Sequence, residues 1–203
     1  MAITLPDAAG QRFGGYADAQ FNLLRRTSLQ AALRASIDGL AQWPRERWPS
    51  HANWHGLAAH WSGIHAAMRH NDALVTRAFA DLAEGRVPAD ARATAARQAR
   101  EAALQGLKHL HLHHRIEDGH LFPQLLGARP ALQRPLSLLE ADHIVLEAAI
   151  GPYLQSLDAL PGEDAADAAW EPLAEQAGQL QAILGRHLDD EEEIVMPTVL
   201  GVA

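Results

Sequence analysis

Apolar side chains recur every three or four residues through five stretches of this chain, and proline and glycine punctuate the gaps between them. Residues 18–42 carry Phe21, Leu24, Leu29, Leu33, Ile37 and Leu40 at near-helical spacing. Trp43-Pro44 through Trp48-Pro49-Ser50 breaks that run. The pattern then predicts four longer helices. They cover about residues 51–84, closed by Gly85 and Pro88, and about 90–126, closed by Gly127 and Pro130. A third, about 131–160, is expected to kink or break near Gly151-Pro152, because proline lacks a backbone donor and crowds the preceding turn. The fourth covers about 165–200, with Pro172 near its start. Ala, Leu, Arg, Gln and Glu fill these stretches, all strong helix formers, and no segment alternates in the manner of a strand. Short connections between long helices imply antiparallel neighbours. The fold class is therefore all-α, an up-down-up-down four-helix bundle (residues 51–203) preceded by an extension (residues 1–50) with one additional N-terminal helix.

A repeat runs through this pattern. His113-His114-Arg115-Ile116-Glu117, ending in Phe122-Pro123, returns 74 residues later as His187-Leu188-Asp189-Asp190-Glu191, ending in Met196-Pro197. The copies align without gaps from His113 to Gly127 and from His187 to Gly201. Residues i and i+4 share a helix face, so each copy aims an imidazole and a carboxylate at one point. That is how a metal site is built. Exposed His–Glu pairs would contribute only a few tenths of a kcal/mol, and the flanking apolar residues argue against exposure. An internal repeat of this length suggests two pseudo-symmetric halves, each supplying one set of ligands. The remaining ligands then belong on the first and third bundle helices. His143 stands among Leu139, Leu146 and Ile150, and His65 is its best counterpart, at an offset close to that of the repeat.

Composition narrows the chemistry. The 203 residues contain no cysteine, so thiolate zinc sites, iron–sulfur clusters, disulfides and thiol catalysis are excluded, and ligands must be His, Asp or Glu. A net charge of −8 with scattered arginines disfavours a nucleic-acid partner. No apolar run approaches the roughly 20 residues that cross a bilayer, and residues 1–15 lack the pattern of a signal peptide. The expected location is cytoplasmic, with no membrane partner. Of the other histidines, His109 and His120 share the face of His113 and Glu117 and are candidates for supporting roles. His55, His60, His70, His111 and His114 read as bystanders; a five-residue step turns about 140° around a helix, so His55, His60, His65 and His70 cannot converge. The five tryptophans read as packing residues and helix-end anchors.

With these residues in hand, the chain resembles the hemerythrin-like (HHE cation-binding) family over about residues 51–200. That family takes one His from the first helix, His-x3-Glu from the second, one His from the third and a second His-x3-Glu from the fourth. Here the positions read His65, His113, Glu117, His143, His187 and Glu191. The resemblance implies a non-haem centre of two iron ions, bridged by the two glutamates and by oxide or hydroxide. Pseudo-symmetry pairs His65 with His113 and His143 with His187. Imidazole and carboxylate donors suit iron, whereas an all-oxygen shell would suit magnesium or calcium. Two departures from respiratory hemerythrins stand out. Glu147 occupies the position of a second His on the third helix, and is either a seventh ligand or a solvated residue that leaves a coordination position open. The fourth helix has His-x3-Glu where those proteins have a longer spacing to Asp. Three functions follow from the resemblance: binding or sensing of dioxygen or a related small oxidant, a di-iron enzyme consuming peroxide or nitric oxide, and an iron-responsive regulatory or interaction module. The first is the leading expectation. A homodimer through the segment before Trp43 is left open.

Overall fold

In a computed structural model, residues 44–162 and 165–201 are described. The helix expected over residues 18–42 lies outside them. Helices α1 (Leu57–Ala83), α2 (Arg92–Ile116), α3 (Phe122–Ala128), α4 (Gln133–Asp158) and α5 (Glu171–Leu200) make up the bundle, with short 3-10 turns in every connection but that between α2 and α3, and no strand among the described residues. No helix among these residues is long and apolar enough to cross a membrane. The short connections expected between antiparallel neighbours are present. Gly85 closes α1 with φ +67, a conformation open to glycine, and Asp167 lies where a β-carbon would be.

Three local features differ from the periodicity. First, α1 begins at Leu57, because Gly56 takes φ 79 and the residues before it form turns. Asn53 in those turns donates to the carbonyl of Leu200, tying them to the end of α5. Second, α4 runs unbroken through Pro152. The carbonyl that proline leaves without a donor belongs to Ala148, which is exposed, so water meets it, while Ile150, Tyr153 and Leu157 keep the opposite face packed. Third, the second expected helix contains a π-helical turn, Glu117–Leu121, between α2 and α3.

That π turn separates the two copies of the repeat. The second copy stays α-helical from His187 to Leu200, while the first gains a wider turn after its glutamate. The buried positions after the turn shift by one residue in consequence. Leu125 is buried where its counterpart Val199 is half-buried, and Leu126 is half-buried where Leu200 is buried.

Apolar packing forms two clusters. One, around Val75, Phe79, Leu82, Leu146, Leu157 and Ile183, fills the end of the bundle near the α1–α2 connection. The other gathers Trp48, Trp61, Phe122, Leu139, Ile194 and Met196 at the opposite end. Trp48 belongs to the 3-10 turn Arg45–Ser50, so that turn is part of the packed bundle. Between the clusters, at the level of His65 on α1, His113 on α2, His143 on α4 and His187 on α5, the interior turns polar. The site is a polar layer sealed above and below by hydrocarbon.

Candidate metal centre

Burying this many ionisable groups is unfavourable unless something compensates them. His65, His187, Glu117 and Glu191 are wholly buried, and His113, His114 and His143 nearly so. Each main helix contributes through the face its apolar stripe turns inward. Trp61, His65 and Met68 follow one another on α1, and Leu184, His187, Leu188 and Glu191 on α5.

Two groups of ligating atoms result. His65, His113, Glu117 and Glu191 bring one ligating atom each within 4.8 Å of one another, and so do His114, His143 and His187. In the first group His65 Nε2 and His113 Nε2 are 3.2 Å apart. In the second, the rings of His114 and His143 stack at 4.0 Å, and that of His187 lies edge-on, 4.9 Å from His143. The carboxylates join the groups. Glu117 Oε1 is 2.7 Å from His113 Nε2, and its Oε2 is 3.3 Å from His143 Nε2. Glu191 Oε2 lies 3.4 Å from His65 Nε2 and 3.6 Å from His187 Nε2. Each glutamate therefore faces imidazoles of both groups.

The outward ring nitrogens are held by carboxylates. His65 Nδ1 meets Glu192 Oε1 at 3.0 Å, His143 Nδ1 meets Asp118 Oδ1 at 2.9 Å, and His187 Nδ1 is 3.5 Å from Asp142 Oδ2. A carboxylate on Nδ1 fixes the tautomer and leaves the Nε2 lone pair free to face inward, the arrangement found behind metal-bound histidines. Arg69 braces Glu192 at 2.7 Å, and Arg45 reaches its other oxygen at 2.7 Å. Trp61 Nε1 donates to Glu191 Oε1 at 2.9 Å, which fixes that carboxylate, and its ring packs 5.6 Å from that of His65 and 5.2 Å from that of His113.

Apart from the His65–His113 contact, the inward atoms are left unsatisfied. Both oxygens of Glu117, Oε2 of Glu191, and Nε2 of His114, His143 and His187 are buried without a hydrogen-bond partner. Buried polar atoms are normally paired, so a convergent set of unpaired lone-pair donors fits a cation between them. The ionisation pattern agrees. Burial, and then the nearby charge of Glu191, push Glu117 well above the ordinary carboxyl range. Glu191 sits well below it: burial alone would raise it, but His65, His113 and His187 outweigh that. Burial depresses His187 strongly, with His143 adding to the effect, and burial lowers His114 to about 3. Burial also opposes charge on His143, yet Asp118 and then Glu117 raise it to about 10. Protons on Glu117 and His143 supply the positive charge that a cation would otherwise bring.

The structure brings together six of the seven residues singled out from the sequence: His65, His113, Glu117, His143, His187 and Glu191. The seventh, Glu147, is in neither group. Its carboxylate is 41% exposed and meets His111 Nδ1 at 3.2 Å, while His114 Nδ1, 3.6 Å away, is left without a hydrogen-bond partner. His109 and His120 are exposed; His109 pairs with Gln105. His114 was read as a bystander and stands inside the centre. Its counterpart in the second copy is Leu188, which is fully buried, and an apolar counterpart was the signal that position 114 faces inward. Trp61 and the carboxylates Glu192, Asp118 and Asp142 were missed as supports, because their partners come from other helices.

The fold is an all-α bundle whose buried histidines and carboxylates, brought in from separate helices, could hold metal ions. The chain belongs to the hemerythrin family: the family model described as Hemerythrin HHE cation binding domain matches residues 62–199. No curated protein and no solved structure matches the chain.

Proposed function

We propose that this protein is a non-haem di-iron hemerythrin-like protein that binds or senses dioxygen or a related small oxidant. The observation that carries this reading is the pair of carboxylates, Glu117 and Glu191, each facing imidazoles of both histidine groups. Two cations close together repel, and a shared carboxylate offsets that repulsion. In this reading His65 and His113 would hold one iron, His143, His187 and His114 would hold the other, and Glu117 and Glu191 would serve both. Bound iron would supply a reversible one-electron change and an open position for a small oxidant. The residues around it orient and seal. Glu192, Asp118 and Asp142 aim the imidazoles, Trp61 fixes Glu191, and the two apolar clusters limit water. With His114 as a donor, Glu147 stands outside the centre.

The test is metal analysis and the optical spectrum of protein from its own host, with and without air. Two irons per chain and a spectral change reversed by removing oxygen are expected. His113→Ala and Glu191→Ala should each lower bound metal. Retention of two metal ions by both variants, or a spectrum indifferent to oxidants, refutes the reading.

A further inference from the structure

Beside the centre lies a cavity that a diatomic ligand does not require. It occupies about 480 Å³ between α1 and α2, within the range of sites for small organic molecules. Met68, Val75, Leu107, Leu110 and Leu184 make most of its wall hydrocarbon, and His113 of the metal centre lines it as well. Ala103 and His113, both on its wall, are ten residues apart on α2, about 15 Å along the axis at the helical rise. The wall is therefore elongated along α2. Gly106 shapes one side: a β-carbon there would fall 2.4 Å from Asn71 Nδ2, so glycine lets Asn71 lie across α2 and donate to the carbonyl of Ala102.

The polar residues on the wall are Asn71, Asp72, Gln105, His109, His113 and Tyr153, and of these only Asp72 is an acid. Tyr153 on α4 is 3% exposed, and its hydroxyl is buried without a hydrogen-bond partner. Asp72 on α1 also lines the cavity, with no ion-pair partner among the described residues, and its charge is felt by Tyr153. No lysine or arginine is on the wall. An acid and an unpaired hydroxyl with no cation near them select a head group that carries positive charge and donates hydrogen bonds. They reject a carboxylate or a phosphate. Asp72 is seven residues from His65 on α1, about 10 Å along the axis, roughly the length of an eight-carbon chain.

The geometry points to a binding site for an elongated apolar amine, its ammonium held by Asp72 and Tyr153 and its tail extending through the cavity toward His113. Binding itself does not depend on the di-iron reading; that such a molecule is a substrate or signal of the centre does. Burial raises the carboxyl of Asp72 to about 7, the behaviour of an acid that lacks a cation, and an ammonium beside it would restore its charge.

The test is titration calorimetry on the full, metal-loaded chain with n-octylamine, n-hexylamine and n-octanoate, reading bound metal and optical spectrum in the same samples. Saturable octylamine binding is expected, weaker by about tenfold for hexylamine because two fewer methylenes are buried. Octanoate should not bind. Asp72→Asn should weaken octylamine at least about tenfold, and Tyr153→Phe, which keeps the ring, a few-fold. Absence of saturable binding, equal binding of octanoate, or full retention of binding by Asp72→Asn overturns the proposal, the last because it would reflect only attraction to an acidic surface. Metal-loaded protein that fails to bind the amine refutes this site and leaves the di-iron reading intact. Amine binding by a chain that holds no iron supports this site and refutes that reading.

Discussion

Glu192 gives the sharpest handle on how the fold tunes the metal centre. Its carboxylate accepts from His65 Nδ1 at 3.0 Å, is 7% exposed, and is clamped by Arg69 and Arg45 at 2.7 Å each. Hydrogen bonds to charged partners contribute about 1.5–3 kcal/mol net. In Glu192→Gln the amide oxygen still accepts, but the charge is lost and the two arginines no longer fix the group. About half of that contribution should go, and about 1.4 kcal/mol is a tenfold change in affinity. Metal affinity is therefore expected to fall about tenfold in Glu192→Gln and up to about 100-fold in Glu192→Ala, where His65 loses its acceptor. Competition against a calibrated chelator measures this, with circular dichroism to confirm that helix content is kept. Burial would raise the Glu192 carboxyl, but His65 and then Arg69 hold it below its ordinary 4.5. Its contribution is therefore complete above that pH and is lost as pH falls through the lower folded value. The lag of Glu192→Gln behind wild type should therefore be full above pH 4.5, shrink below it, and vanish only as pH falls through the lower folded value. Affinities within twofold of each other at neutral pH would refute the claim that this carboxylate orients a ligand.

Three further outcomes are expected. His114→Leu, which installs the residue found at the equivalent position of the second copy, should keep the fold while lowering bound metal or shifting the optical spectrum; an unchanged spectrum would make His114 a packing residue only. Metal uptake at pH 7 should release protons, since Glu117 is raised well above its ordinary value and His143 is raised to about 10. Calorimetry in buffers of differing ionisation enthalpy would read this, and a heat independent of buffer would contradict it. Phe79, wholly buried in the cluster near the α1–α2 connection, should cost about 3–5 kcal/mol as Phe79→Ala, seen as a thermal midpoint lower by roughly 10 °C.

The all-α class and the six residues that meet at the centre were legible in the sequence, because both rest on local periodicity. Leucine and alanine spacing sets which face of each helix turns inward, and a His-x3-Glu placed on that face is carried into the interior with it. Residues 113, 117, 187 and 191 follow from that rule, the apolar neighbours of 143 point to that histidine, and an offset close to that of the repeat supplies 65. Local pattern also set the error at Gly151-Pro152, since proline predicts a missing hydrogen bond without saying whether water can meet the orphaned carbonyl.

What tertiary structure alone decided begins at the π turn. One wider turn after Glu117 changes the register of everything beyond it, and no residue spacing announces it. The supports of the histidines came only from folding too: Glu192, Asp118, Asp142 and Trp61 reach their partners across helices, over sequence separations that periodicity does not constrain. Glu147 shares a helix face with His143, yet its carboxylate meets His111 on α2. A helix's own sequence determines which side it buries. Which atoms on that side touch depends on the rotation and height of its neighbours, and those are set by the packing of the whole bundle.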